Sequence, residues 1–139
     1  MKRLYGDILV PPGVVAELRD ADAPVPPLDW ASIPGARVQA PHDLARVAGL
    51  RETLDLGESE AIALALEVDA AALLVDERAA RAVAESLGLR PVGVPAMLVR
   101  AKHRGFVAAV GPLIDRIRSG IGFRISASLH ATMPQRAGE

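Results

Sequence analysis

Glu58 and Glu60 flank Ser59 in LDLGESEAIALALEVDA (residues 54–70), and Asp76 ends the apolar run of ALLVDERAARAVAESLG (residues 72–88). The two glutamates fall in the opening turn of an apolar helix. Asp76 falls where a short buried strand gives way to the next helix. Hard divalent cations take oxygen ligands and Mg2+ keeps several of its waters, so a few carboxylates brought to one place suffice to hold one. Water on such an ion is a nucleophile at neutral pH, and the ion takes up charge on a phosphodiester under attack. The residue types therefore point to metal-assisted phosphodiester hydrolysis.

Each acid also has a plainer explanation. Negative charge in a first helical turn is favoured by about 0.3–1 kcal/mol through the helix dipole, which accounts for one of the two glutamates. Asp76 has the right type and place for an N-cap, a role compatible with holding a metal. His42, His103 and His130 are scattered without HExxH or paired spacing, which argues against a zinc hydrolase. No GxxxxGK[ST] loop and no GxGxxG after a strand is present, which removes the simplest nucleotide-binding alternatives.

The acids have to be positioned by alternating strands and helices. The run at residues 70–75 is short, bounded and non-polar, as in a parallel strand covered on both faces, so Asp76 is expected at its carboxyl end. In open α/β sheets ligands bind at that edge. Further strands are predicted at residues 7–10, 36–40 and 90–94. Helices are predicted from Pro12 to about Arg19, as two helices over residues 43–68 with a break near Gly57, and over about 77–87, 96–104 and 107–119. Val14, Val15 and Leu18 follow helical spacing toward a core. Pro24, Pro26 and Pro27 mark an irregular connection anchored by Trp30. The alternation implies parallel strands joined by right-handed crossovers.

A chain of 139 residues with 50% hydrophobic side chains suits one globular domain with a core of its own. It has no cysteine, which excludes a disulfide scaffold and suits a reducing cytoplasm. No apolar stretch approaches the roughly 20 residues that span a bilayer. A net charge of −1 argues against a domain that holds nucleic acid mainly by neutralising phosphates. It leaves room for a site where bound cations meet the phosphate. Basic residues gather at Arg100, Lys102, His103 and Arg104 and at Arg116, Arg118 and Arg124, either as solvated helix faces or as a groove for RNA.

LGESEAIALA, LLVDERAAR, a VPPGVVAEL stretch beginning at Val10, LVRAKHRG ending at Gly105 and GFRIS at residues 122–126 closely resemble the PIN-like family of prokaryotic proteins, similar to VapC-type toxins. The resemblance runs to about Ser126 and lacks the family's opening strand and its aspartate. It implies a three-layer α/β sandwich with a mainly parallel central sheet, here N-terminally truncated, formed by residues 1–126 with a flexible tail at 127–139. It further implies a metal-dependent endoribonuclease, Mg2+ or Mn2+, an RNA substrate, a protein antitoxin and a possible homodimer.

Glu17, by itself an exposed helix acid, matches the family's second acidic position. Glu60 matches the third, and Asp76 completes the set of metal-holding catalytic residues. The three are expected to converge at the carboxyl edge of the sheet and to raise at least one carboxyl pKa by mutual repulsion. Glu58 is a candidate outer group of the same site. Arg78, Arg81 and Arg124 are candidate substrate contacts. Val94-Pro95-Ala96 replaces the family's usual Thr-Leu-Gly. With the first aspartate missing, a catalytically impaired binding or scaffold protein stands as the alternative.

Overall fold

The computed structural model describes residues 6–18, 35–105 and 108. Two compact units divide the chain, Met1–Val92 and Gly93–Glu139. The predicted features at Pro24, Pro26, Pro27 and Trp30, the helix over 107–119, Arg116, Arg118, Arg124 and the tail at 127–139 lie outside the described residues.

The first unit alternates strand and helix in the order β1 (Ile8–Val10), α1 (Pro12–Leu18), β2 (Ala36–Val38), α2 (Leu44–Leu50), α3 (Leu56–Glu67), β3 (Leu73–Leu74), α4 (Arg78–Ser86) and β4 (Pro91–Val92). Both strand pairs are parallel, as an alternating α/β chain requires. β1 pairs with β2 in the register Ile8 to Ala36 and Val10 to Val38. β3 pairs with β4, Leu73 to Pro91 and Leu74 to Val92. Among the described residues these are two separate two-stranded sheets.

Pro12 opens α1, where a missing N–H costs nothing. α3 begins with a capping box: the Asp55 carboxylate accepts the Glu58 N–H at 2.8 Å and the Glu58 carboxylate accepts the Asp55 N–H at 3.4 Å. This corrects the expected helix break near Gly57. The break falls between Leu50 and Leu56, because Asp55 starts the helix and Gly57 is already inside its first turn.

Ile62, Ala63, Leu64 and Ala65 are all buried, so α3 is enclosed around most of its circumference, as its sequence suggested. Ile62 and Ala65 pack with Leu54, Leu73, Ala80 and Ala84 in one core cluster. Ala80 and Ala84, four residues apart, form the buried stripe of α4.

The ends of these helices are well defined. At the end of α4, Gly88 at φ +80° lets the Leu89 N–H reach the Ala84 carbonyl at 3.0 Å. Asp69 at φ 49° does the same for α3, with the Ala70 N–H on the Ala65 carbonyl at 2.9 Å. Glu67, at the last residue of α3, accepts the N–H groups of His42 and Asp43, each at 2.7 Å. Asp43 caps α2 in turn, accepting from the Arg46 N–H at 2.9 Å.

Two expectations about the strand before Asp76 need correction. It is not covered on both faces: Leu73 is buried but Leu74 is 44% exposed. Nor is Asp76 the N-cap of α4. Glu77 holds that position, with no side-chain cap bond, because the chain stays extended one residue longer.

In the second unit, α5 (Val94–His103) starts after Gly93 and buries Ala101. Arg100, Lys102 and His103 occupy its last turn, where positive charge complements the helix dipole. No helix of the described residues is long and apolar enough to cross a membrane.

Candidate active site

α1 and α3 meet through a reciprocal exchange between glycines and carboxylates. The Gly13 N–H donates to Glu60 Oε2 at 2.6 Å, and the Gly57 N–H donates to Glu17 Oε1 at 3.0 Å. Both glycines stand second in their helices. The first N–H groups of a helix have no partner within it. Each helix therefore supplies the carboxylate that satisfies an orphan donor of the other.

The approach is close enough to require glycine. A Cβ on Gly13 would lie 2.8 Å from Glu60 Oε2, 3.0 Å from Leu56 Cγ and 3.2 Å from Gly57 Cα. A Cβ on Gly57 would lie 2.6 Å and 2.7 Å from the two Glu17 carboxylate oxygens.

Acidic groups are dense around this crossing. Although much of the Glu17 side chain is exposed, desolvation of its carboxyl is the main cause that raises its pKa above the ordinary glutamate value. The negative charges of Asp55 and Glu60 raise it further, against the opposing pull of the Gly57 N–H. Desolvation also raises Glu58, followed by repulsion from Asp55, with smaller contributions from Glu77 and Glu17.

Of the sequence-predicted residues, Glu17 and Glu60 are brought together at the α1–α3 crossing. Asp76 is half-buried between β3 and α4. It does not join them in a three-carboxylate group: among the described residues no cluster of three or more His, Asp and Glu side chains is arranged to hold a metal ion. Glu58, taken as an outer group, is committed to the capping box. Arg81 donates from Nη1 to the Val75 carbonyl at 3.1 Å, tying α4 to the strand end beside Asp76. Arg78 is exposed in the first turn of α4.

Sequence reasoning missed Asp55, Gly13 and Gly57. The Asp-x-x-Glu spacing from Asp55 to Glu58 is the capping-box signature and was available as a signal. The glycines carried a weaker one, since each sits in a helical first turn without a turn or cap to explain it.

The donor set suits a hard divalent cation, being made of carboxylate oxygens whose mutual repulsion a cation would relieve. A carboxylate has about four lone-pair positions, so one N–H bond leaves Glu17 and Glu60 each with oxygens to offer. The fit is thus chemical. The described placement supplies two of the three expected ligands together and leaves Asp76 apart from them.

A raised carboxyl pKa in the folded chain means that ionisation opposes folding. That penalty is complete above the raised pKa and fades as pH falls through it toward the ordinary glutamate value. Glu17→Gln keeps an oxygen for the Gly57 N–H and removes the charge. In chelator-containing buffer it is expected to melt at a higher temperature than the unaltered chain near pH 7.5, with the difference shrinking as pH approaches 4.

Glu67 and Asp43 act with the opposite sign. Their carboxyls lie below the ordinary range, Glu67 chiefly through the Asp43 N–H and Asp43 chiefly through the Arg46 N–H. Their contribution is lost in acid, and it cancels when variant and parent are compared at one pH. Melting curves that coincide at every pH would contradict the desolvation and repulsion described at Glu17.

No curated protein and no solved structure matches the chain. A family model does: DUF3368, described as a PIN domain, matches residues 1–139. With α/β architecture, parallel strand pairs and a carboxylate-rich helix crossing already in place, the match over the whole length shows that the chain belongs to this PIN-domain family.

Proposed function

We propose that this chain is a divalent-metal-dependent endoribonuclease, with Glu17, Glu60 and Asp76 as its metal-holding catalytic carboxylates. The PIN domain gives a nuclease-type function in general terms. The observation that carries the finer reading is the meeting of Glu17 and Glu60, from separate helices, where desolvation and then the nearby acids raise the Glu17 carboxyl pKa.

When bound, Mg2+ or Mn2+ supplies an acidified water and positive charge for the phosphate. The chain's own part is to hold oxygens in place. Glu17 and Glu60 are each fixed by a backbone N–H, and Asp76 is delivered at the end of β3. Arg81 keeps donors beyond the one given to Val75, and with Arg78 it is proposed to contact phosphate; Arg124, also proposed as a substrate contact, lies outside the described residues. The three-layer sandwich, homodimer and control by a protein antitoxin belong to the same proposal and rest on the resemblance to VapC-type toxins; cytoplasmic location belongs to it too and rests on the cysteine-free composition.

The test is cleavage of a labelled single-stranded RNA by the purified chain, with Mn2+ or with chelator, beside Glu17→Gln. Mn2+-dependent cleavage that the variant lacks is the expected outcome. Cleavage that survives chelation, or that Glu17→Gln retains in full, would contradict the proposal. RNA bound intact in the presence of Mn2+ would point instead to the impaired binding protein.

A further inference from the structure

α5 gathers cations on one exposed face. Ala101 is buried, whereas Arg100, His103 and Arg104 are exposed. Arg104 stays on the helical ladder, its N–H donating to the Arg100 carbonyl at 3.2 Å, so the three residues keep the spacing of three and four that shares a helix face. Ala96, one turn before Arg100, is exposed as well and adds no charge.

The helix dipole explains only part of this. One cation in the last turn would complement it, and a second arginine four residues from the first repels its neighbour. Nearby sequence offers no acid to offset them: the chain has 17 acids to 16 lysines and arginines, yet from Ser86 to Ile114 it carries Arg90, Arg100, Lys102 and Arg104 and no Asp or Glu. A local excess of this kind suits a polyanion. Val94, Met97, Leu98 and Val99 are half-buried, so these apolar residues are not laid out as the exposed flank with which a helix settles on a membrane.

We propose that Arg100, His103 and Arg104 hold the phosphate backbone of single-stranded RNA. The inference rests on the reading of the chain as a ribonuclease. It goes beyond it by giving the second unit a part in binding that needs no metal. Arginine suits that part because its planar fork has five donors, so an interaction within the chain, as Arg100 has, leaves others for phosphate. Phosphate contacts position a strand without reading its bases, and the face is expected to bind unlike sequences alike.

The experiment measures binding of a labelled single-stranded RNA by fluorescence anisotropy over a range of salt, with chelator present to keep the probe intact. The full chain is compared with Arg100→Gln/Arg104→Gln, with Arg100→Lys/Arg104→Lys and with Arg37→Gln/Arg51→Gln, which removes two exposed arginines of the first unit. Each phosphate contact on a single strand contributes about 0.7 to the slope of log affinity against log salt, so the glutamine pair on α5 is expected to flatten that slope by about 1.4 and to weaken binding. The lysine pair keeps the charge and is expected to keep the slope, as is the first-unit pair. Melting temperatures are expected to coincide, since all four arginines are exposed.

Parental slope and affinity in the α5 glutamine pair would overturn the inference and leave the ribonuclease reading to the cleavage test. Equal flattening in the first-unit pair would reduce the face to diffuse charge and overturn it too. So would melting well below the parent, or a full chain that cleaves RNA with Mn2+ but binds none in chelator. Loss of binding to phosphatidylserine vesicles in the glutamine pair, beside unchanged RNA affinity, would make the partner a membrane instead. A full chain that neither binds RNA in chelator nor cleaves it with Mn2+ would remove the ribonuclease reading and this inference together.

Discussion

Asp76→Asn is expected to lower Mn2+-dependent RNA cleavage by about 100-fold or more, at or beyond the upper end of what losing a mere supporting partner costs a metal site. The amide keeps the shape of the side chain and removes the charge that a hard cation needs. Melting temperature is expected to stay close to that of the parent, because the amide keeps the side chain's volume and one accepting oxygen. Gel-resolved cleavage rates with Mn2+ in excess check the first half, and thermal melts check the second. A variant that cuts RNA at the parental rate would place Asp76 outside the machinery and leave Glu17 and Glu60 in need of another partner.

The largest expected effect on stability comes from Ile62→Ala. Ile62 has no exposed surface, sits in the middle of α3 and packs in the cluster that includes Leu54, Leu73, Ala80 and Ala84. Truncating a buried isoleucine costs about 2–5 kcal/mol, the spread reflecting how far the surroundings collapse into the space. Denaturant unfolding monitored by circular dichroism measures it. A loss below about 0.5 kcal/mol would mean that α3 is not enclosed as described, since surface substitutions fall in that range.

Much of the element order was legible because it rests on local signals. Gly88 and Gly105 marked helix ends, and both adopt the positive φ that such ends demand. Pro12 marked a helix start, and the unbroken apolar run from Ala61 to Leu66 marked an enclosed helix. The errors came where two local signals competed. Gly57 looked like a breaker, yet Asp55 two residues earlier had already set the cap. Leu74 looked buried because apolarity shows in sequence, whereas the cover over a strand depends on which elements fold against it.

The candidate acids were legible, and the backbone groups that bond to them were not. Glu17 and Glu60 could be named from local pattern and family resemblance. Their hydrogen bonds to Gly57 and Gly13 join positions 40 and 47 residues apart, which no local pattern encodes.

Those separations also bear on the order in which the molecule assembles. The capping box of α3 closes over three residues and needs nothing beyond its own turn. The two bonds between the glycines and the carboxylates close loops more than ten times longer, and contacts of that span come at an entropic cost that only a largely formed structure offsets. The α1–α3 crossing is therefore expected to be among the last features to form and the first to open. A chain still folding would lack the α1–α3 crossing, so the proposed metal site and the RNA cleavage proposed for it would arrive only with the complete fold.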